Sequence, residues 1–263
     1  MDILLRYGFK GVTTMENYKS DNEIKLIALD MDGTLLNDEH EISEANRQAI
    51  SEVQEKGIHV VLSTGRSLRK CEKHADSLAL SSYLVTVNGS EIWDDKRGLV
   101  ERNLLKTESL QWMLELTQKH KIRFWAINTN RNWFDEMPED IHAEEWLKFG
   151  FNIKDEPTRD KILKELKARG EFELSNSTPT NIEVNPVGIN KAKGLALVCE
   201  RIGIHMKNVM AVGDSLNDLA MIEEAGLGIA MGNAQEIVKQ AASWVTSSNN
   251  EDGVAVAIRK WAL

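Results

Sequence analysis

Two carboxylates stand at the end of an apolar run near the start of the chain. The segment IKLIALDMDGTLLN predicts a buried strand over residues 24–29 that leads directly into Asp30 and Asp32. Paired carboxylates repel each other and lose hydration energy on burial. Their presence at a buried strand end therefore suggests a bound cation or a role in a reaction. Such a pair can hold a hard divalent cation and do acid–base work, and one aspartate can attack phosphorus as a nucleophile.

Two other interpretations apply to the same segment. Aspartate and glycine often do no more than end a strand and begin a turn. With Ala28 as the first position, the acids also fall at the spacing of an EF-hand calcium loop. Alanine offers no ligand there, and the incoming segment is strand-like rather than helical, so we reject the calcium loop.

The segment VLSTGRS follows the next apolar strand. Thr64 offers a hydroxyl, and Gly65 leaves its backbone N–H open to the approach of an anion. Arg66 could pair fork-like with a phosphate or a carboxylate. A serine or threonine turn is the alternative interpretation of this segment.

The segment GINKAKGLAL opens an amphipathic helix with two lysines. Lys191 could neutralise a phosphate held near the carboxylates, with Lys193 as its near rival. The alternative for either lysine is a solvated place on the surface.

The segment AVGDSLNDLAMI carries a second acidic strand end. Asp214 ends the apolar run, and the spacing returns Asn217 and Asp218 to the same side one turn later. Asp214 would be a further metal carboxylate, Ser215 and Asn217 would hydrogen-bond a ligand, and Asp218 would support them. An N-capped helix would explain the first two polar residues but not the later pair.

These four segments need a scaffold that brings strand ends together. From residue 24, apolar strands alternate with amphipathic helices up to the segment YLVTVNG, and the same alternation returns after residue 190. This pattern predicts an α/β fold with a doubly wound, Rossmann-like parallel sheet. Such sheets bind ligands at the carboxyl ends of their strands.

The middle of the chain has a different composition and predicts an inserted α+β cap domain. A hairpin with a turn near Asp94–Gly98 and a helix over Thr107–His120 are expected there, together with five of the seven tryptophans. Trp125 and Arg131 could face a planar or sugar substrate, or the tryptophans could form the core of the cap. We assign 1–22 to a poorly ordered N-terminal extension, 23–88 and 183–263 to the catalytic core, and 89–182 to the cap.

Composition restricts the partners. The 263 residues carry a net charge of −9, which argues against nucleic acid or an anionic membrane as the main partner. Two cysteines, Cys71 and Cys199, cannot form a disulfide framework and favour a reducing cytoplasm. No apolar run has the length of a transmembrane helix, and Arg6 interrupts the only apolar start of a signal peptide.

Taken in order, DMDGT, STGR, NKAKG and GDSLND resemble the motifs of the haloacid dehalogenase-like phosphatases. They resemble most the Cof-type branch, whose α/β cap is inserted between the second and third motifs. VNGS, AMGNA and EDGVA extend the resemblance from residue 24 to the C-terminus. One departure is that Ala192 and Lys193 stand between Lys191 and Gly194, where the family places glycine directly after the lysine.

The resemblance implies a role for each matching residue. Asp30 would be the nucleophile that forms an aspartyl-phosphate, and Asp32 the general acid/base that also gives its backbone carbonyl to magnesium. The implied metal ligands are Asp30, Asp32 and Asp214; the implied phosphate-binding residues are Thr64, Gly65, Lys191 and Asn217; Ser215 and Asp218 would support them, and Asn88 and Arg66 would lie near the substrate.

The expected function is that of a magnesium-dependent phosphatase for a small phosphorylated metabolite. Sugar phosphates, nucleotides and cofactor precursors are the substrate classes that the resemblance implies. A phosphosugar mutase and a non-hydrolytic phospho-receiver module remain as alternatives, and the oligomeric state stays open.

Overall fold

The structure is a computed structural model that describes residues 23–263. The predicted N-terminal extension, 1–22, lies outside these residues. Across 23–263, no helix combines the length and the apolar content needed to cross a bilayer.

Strands and helices alternate along the described chain. The strands are β1 (Leu26–Leu29), β2 (His59–Ser63), β3 (Leu84–Thr86), β4 (Glu91–Trp93), β5 (Leu99–Arg102), β6 (Arg123–Asn128), β7 (Asn132–Phe134), β8 (Trp146–Asn152), β9 (Phe172–Ser175), β10 (Asn181–Pro186), β11 (Val209–Gly213), β12 (Leu227–Ala230) and β13 (Trp244–Val245). The helices are α1 (Glu44–Glu55), α2 (Leu68–Ser77), α3 (Thr107–His120), α4 (Glu156–Arg169), α5 (Lys191–Ile202), α6 (Leu219–Glu224), α7 (Glu236–Ala241) and α8 (Gly253–Trp261).

The larger sheet has eight strands in the order β13-β12-β11-β1-β2-β3-β4-β5. The strands from β13 to β3 are parallel, so their carboxyl ends lie along one edge. Helices cover both faces: Ile27 and Leu29 of β1 pack into the cluster that contains Ile50 of α1. Leu26 on the opposite face packs with Leu195 of α5. Burial on both faces explains the apolar run, and the predicted doubly wound fold is confirmed.

The hairpin β4–β5 belongs to the larger sheet. β4 pairs antiparallel with β3, and β5 pairs antiparallel with β4. Trp93 packs against the core cluster of this sheet. The sequence placed residues 89–102 in the inserted unit, whereas in the structure the hairpin completes the edge of the parallel sheet. We propose that the inserted unit begins after Arg102 and ends with Pro186.

The smaller sheet is antiparallel, with five strands in the order β7-β6-β8-β10-β9. One face packs on α3 and α4: Phe149 and Phe151 of β8 share a cluster with Leu110 and Ile162. Trp112, Trp133 and Trp146 lie in or against the same cluster. Most of the tryptophans between β5 and β10 therefore form the core of this unit.

The opposite face of the smaller sheet lies against the larger one. Val87, which follows β3, forms a cluster with Ile127 of β6 and Leu147 of β8, and Trp125 packs on it. Gly89 has φ +96°, and a Cβ there would lie 2.4 Å from the carbonyl oxygen of Asn190. The turn after β3 is thus in close contact with the N-terminus of α5.

Gly89→Ala should destabilise the protein more than Gly188→Ala. Both glycines have positive φ, so alanine costs about 1 kcal/mol of backbone strain at either position. A Cβ at Gly188 meets no atom within 4 Å, whereas one at Gly89 clashes with backbone and adds an overpacking cost of about 1–3 kcal/mol. Urea unfolding measures the free energy of unfolding of the two variants. Equal losses would show that the backbone at Asn190 shifts to accommodate the Cβ at no cost.

Candidate active site

Three strand ends meet at the carboxyl edge of the larger sheet. Leu29 at the end of β1 is in register with Leu62 of β2 and Val212 of β11. The next residues of these strands bring Asp30, Thr64 and Asp214 to one edge. Asp30 continues the ladder, because its N–H donates to the Val212 carbonyl at 3.1 Å.

Asp30, Asp214 and Asp218 form a carboxylate cluster. Each offers one oxygen, and these oxygens lie within 4.8 Å of one another. Asp30 and Asp218 are buried, while Asp214 is half-buried. Among the described residues this is the set of side chains able to hold a metal ion. The metal set expected from the sequence was Asp30, Asp214 and the backbone carbonyl of Asp32, with Asp218 in a supporting role; the structure adds the Asp218 carboxylate to this cluster.

Lys191, the first residue of α5, lies inside this cluster. Its Nζ donates to Asp30 Oδ1 at 2.5 Å and to Asp218 Oδ1 at 2.6 Å, and the side chain is fully buried. Burial lowers the pKa of Lys191, but Asp218 and Asp30 outweigh it and the pKa is raised. Lys193 is exposed. Of the two candidate lysines, Lys191 is therefore the one at the strand ends.

Asp214 is held in place by hydroxyl groups on both oxygens. Thr34 Oγ1 donates to Oδ1 at 3.0 Å, and Ser215 Oγ donates to Oδ2 at 2.7 Å. Gly33 has φ +77°, and a Cβ there would lie 2.7 Å from Asp214 Oδ2. The glycine of the first motif thus leaves room for the carboxylate, and Thr34 is a contributor that the sequence analysis did not name.

Asp218 connects the turn to the lysine. Its Oδ2 accepts from the backbone N–H groups of Asp214 at 2.9 Å and Ser215 at 3.0 Å. Its Oδ1 faces Lys191. This side chain closes the turn that begins after β11 and fixes the ammonium group beside Asp30.

Burial and the proximity of the carboxylates raise the pKa values of Asp30 and Asp214. Burial, with Asp218 and Asp214, raises the pKa of Asp30 well above its ordinary value although Lys191 lowers it. Burial and Asp218 raise the pKa of Asp214 to about 6. A bound divalent cation would favour the ionised forms, because it reverses the local repulsion.

Asp32 faces away from this cluster toward Arg66. Arg66 Nε donates to Oδ2 at 2.8 Å, and its Nη2 donates to Oδ1 at 2.5 Å. Burial raises the pKa of Asp32, but the hydrogen bonds and charge of Arg66 outweigh it, so the pKa is lowered. Of the two partners predicted for Arg66, the structure places a carboxylate beside it.

The loop after β2 presents Thr64 and Gly65. Thr64 Oγ1 accepts from the Arg66 N–H at 3.1 Å, which leaves the hydroxyl hydrogen available as a donor. A Cβ on Gly65 would lie 3.0 Å from Asn88 Oδ1, 3.2 Å from Lys148 Nζ and 3.6 Å from Asn217 Nδ2. Polar groups from both sheets therefore converge on this glycine.

Asn88 lies at the junction of the two sheets. It has φ 57°, and its Nδ2 donates to Glu183 Oε2 of β10 at 2.8 Å. Asn217 Nδ2 donates to Asn88 Oδ1 at 3.4 Å. Asn88 thus connects the turn after β3, the turn after β11 and the smaller sheet.

Sequence reasoning missed the buried ion pair of Lys148 and Glu183. Their charged atoms lie 2.6 Å apart, between β8 and β10. Period-two alternation over residues 148–151 was the available signal, because it places Lys148 on the face opposite Phe149 and Phe151; a register shift interrupts the alternation before Lys148. Placing that lysine at the junction also required knowing that this face covers the larger sheet.

Trp125 and Arg131, the two candidate substrate contacts from the aromatic segment, lie in different surroundings. Trp125 lies on the face toward the larger sheet, with Lys148 Nζ 5.1 Å from its ring. Arg131 stacks on Trp133 at 3.6 Å and pairs with Glu136 at 2.5 Å. The structure brings Trp125 toward the polar junction and gives Arg131 partners within its own turn.

A sequence profile of the haloacid dehalogenase-like hydrolases matches residues 27–149 and 136–258. A 5-amino-6-(5-phospho-D-ribitylamino)uracil phosphatase of Bacillus subtilis (strain 168) is 58% identical over 249 residues, covering 95% of this chain and 100% of that protein. A putative phosphatase of Streptococcus pyogenes is 32% identical over 269 residues, covering 91% and 99%. The crystal structure of a haloacid dehalogenase-like hydrolase from Bacteroides thetaiotaomicron matches with a TM-score of 0.77 and 31% identity, covering 90% and 99%.

The metal-free protein should lose stability as pH rises from 5 to 7.5. Asp214 has a pKa of about 6 in the folded chain against 3.8 for the ordinary group. Its stabilising contribution is complete below the lower value and is lost as pH rises through the higher one. Over this range the loss is about 1–2 kcal/mol for this group.

Thermal unfolding at a series of pH values in chelator measures the loss, with Asp214→Asn as the matched variant. The variant should decline less with pH. Added Mg²⁺ should reduce or reverse the decline in the unmodified protein only. The same slope in both proteins, with and without Mg²⁺, would contradict the repulsion between these carboxylates.

Proposed function

The chain belongs to the haloacid dehalogenase-like hydrolases, in the Cof-type branch, and is a phosphatase; from this premise we propose that it hydrolyses 5-amino-6-(5-phospho-D-ribitylamino)uracil. The observation that carries the proposal is the identity of 58% to a phosphatase of that name, over that protein's full length. This substrate falls in the cofactor-precursor class, one of the three classes expected from the sequence.

A cavity that reaches Asn88 and Asn217 at the junction of the two sheets supports this choice. It has a volume of about 220 Å³ and lies between β9, β10 and the turn 216–218. Its polar lining consists of the neutral residues Asn88, Ser175, Asn185, Asn190 and Asn217 and of the carboxylates of Glu173 and Glu223. Within the described chain, Ser175 Oγ and Asn217 Oδ1 are buried without a hydrogen-bond partner. Hydroxyls of a ribityl chain and the N–H groups of a uracil ring are uncharged donors and acceptors that such a lining can satisfy.

The proposed chemistry begins with Asp30, whose carboxylate attacks phosphorus and forms an aspartyl-phosphate. Lys191 neutralises phosphate charge and orients Asp30 through their hydrogen bond. Thr64 donates its hydroxyl, and Gly65 its N–H, to phosphate oxygens. Asn217 provides amide hydrogen bonds to the same group.

Asp32 serves as the proton-transfer group in this scheme. It protonates the leaving oxygen and then deprotonates the attacking water. Arg66 holds its carboxylate by two hydrogen bonds, a pairing that favours the ionised form. To act as an acid, Asp32 must first take up a proton from solvent, which requires that substrate binding loosen the pair with Arg66; the ionised form is ready for the later step, in which Asp32 accepts a proton from water.

The carboxylate cluster fits Mg²⁺, which this family generally uses. Asp30 and Asp214 would hold it, with Asp218 near them and the backbone carbonyl of Asp32 as a further oxygen donor. An all-oxygen donor set of closely spaced carboxylates is the type that magnesium prefers. Magnesium, when bound, neutralises phosphate charge and the mutual repulsion of these acids. We also propose a cytoplasmic location, which two free, buried cysteines support.

The purified protein should release inorganic phosphate from 5-amino-6-(5-phospho-D-ribitylamino)uracil with a higher kcat/KM than from other esters. Glucose 6-phosphate, a nucleoside monophosphate and pyridoxal 5′-phosphate form the comparison panel. The measurement is phosphate release together with identification of the dephosphorylated product. A tenfold preference for another ester would overturn the substrate proposal, and phosphate transfer to sugar would indicate the mutase.

Asp30→Asn should reduce kcat by several orders of magnitude, because an amide cannot form the aspartyl-phosphate. Stability should be retained, since the change removes a carboxyl group that burial and Asp218 disfavour in the ionised state. Phosphate release and thermal unfolding are measured in parallel, with exposed Asp95→Asn as the control. Substantial turnover by the Asp30 variant would exclude Asp30 as the nucleophile.

A further inference from the structure

Lys148 is a fully buried cation in the smaller sheet. Its side chain is 1% exposed, and it lies on β8 between Leu147 and Phe149. A buried ammonium is costly unless it is paired and hydrogen-bonded. Stability alone therefore does not explain a lysine at this position, because an apolar side chain would be accommodated at lower cost.

Glu183 provides one partner for Lys148 and is itself firmly held. Lys148 Nζ donates to Glu183 Oε2 at 2.6 Å, Asn88 Nδ2 donates to the same oxygen at 2.8 Å, and Ser177 Oγ donates to Oε1 at 2.9 Å. Burial raises the pKa of Glu183, but Lys148 outweighs it and the pKa is lowered. The carboxylate is thus fixed and ionised.

The ammonium group of Lys148 is not saturated by this pairing. It carries three N–H donors, and Glu183 is its one hydrogen-bond acceptor among the residues that the structure describes. The ring of Trp125, 5.1 Å from Nζ, packs on one side of it. Donor capacity therefore remains for a group that is not part of the protein.

The direction of Lys148 is given by Gly65. A Cβ on Gly65 would lie 3.2 Å from Nζ, and the amide of Asn217 borders the same space at 3.6 Å. Gly65 belongs to the loop proposed to bind phosphate, on the other sheet. The ammonium thus crosses the junction between the sheets and lies at the phosphate loop.

We propose that Lys148 is a second phosphate-binding cation, supplied by the smaller sheet, and that Glu183 is a positioning residue that holds it against the phosphate loop. The inference rests on the proposed function only in taking the loop at Gly65 as the phosphate site. The phosphate dianion would then lie between Lys191 from α5 and Lys148 from β8. Full charge neutralisation of the phosphate requires the smaller sheet to be seated on the larger one.

Two rival roles give different outcomes. Lys148 and Glu183 could serve as a latch between strands, in which case loss of either charge should have the same effect. Alternatively, Lys148 could contact the leaving group, in which case binding of inorganic phosphate should not depend on it.

The experiment measures binding of inorganic phosphate to the Mg²⁺-loaded protein by calorimetry, and its inhibition of p-nitrophenyl phosphate hydrolysis. The variants are Lys148→Met, Glu183→Gln and the double variant, with exposed Lys193→Met as the surface control. Lys148→Met leaves a buried carboxylate unpaired, which destabilises the fold; the double variant removes both charges and avoids that cost.

Phosphate affinity should fall about 10–100-fold in every folded variant that lacks Lys148, as expected for a lost charge-assisted hydrogen bond. It should fall by a smaller factor in Glu183→Gln, where Lys148 is kept but loses its charged partner, and should stay within a few-fold of the unmodified protein in Lys193→Met. The KM for p-nitrophenyl phosphate should rise by a factor similar to the loss of phosphate affinity.

Equal losses in Glu183→Gln and in the double variant would assign the pair to a latch and overturn the proposal. Unchanged phosphate affinity in the double variant would overturn it as well, and would favour contact with the leaving group. Because inorganic phosphate is the probe, the result does not depend on which ester the enzyme prefers. Failure of the substrate panel and failure of this inference are therefore distinguishable.

Discussion

The repulsion among Asp30, Asp214 and Asp218 is the constraint on which the site depends. Parallel strands β1 and β11 bring two of these carboxylates to the same edge, and the turn after β11 adds the third. Lys191 compensates only part of this negative charge, since the pKa of both Asp30 and Asp214 stays raised. The uncompensated negative charge favours binding of a divalent cation. Once the cation is bound, Lys191 remains charged and can interact with a phosphoryl group.

The local backbone is organised around that cluster. Gly33 gives Asp214 its space, Thr34 and Ser215 fix its oxygens, and Asp218 closes the turn with two backbone N–H groups. These contacts hold the carboxylates in a repulsive arrangement without metal. Preorganisation of this kind places the energetic cost in folding rather than in the reaction step.

The junction of the sheets adds a second layer of charge. Lys148 and Glu183 come from the inserted unit, Asn88 comes from the end of β3, and all three meet above the loop of Gly65. The larger sheet thus supplies the proposed nucleophile and metal ligands. The smaller sheet supplies the Lys148–Glu183 ion pair, together with neutral polar groups that line the cavity proposed for the substrate.

The sequence by itself determined the doubly wound core, because the apolar runs of a sheet covered on both faces are local patterns. It also determined the residues at the strand ends, because the order of the motifs fixes which strands end in acidic residues. Tertiary structure decided the rest. The hairpin 91–102 joined the larger sheet because pairing depends on which edge is open, which composition does not reveal. The side chain of Asp32 pairs with Arg66, whereas that of Asp218 lies in the carboxylate cluster. Both directions are set by the geometry of the turns, which the sequence pattern does not specify. Lys148 became part of the junction only when two sheets distant in sequence were packed face to face.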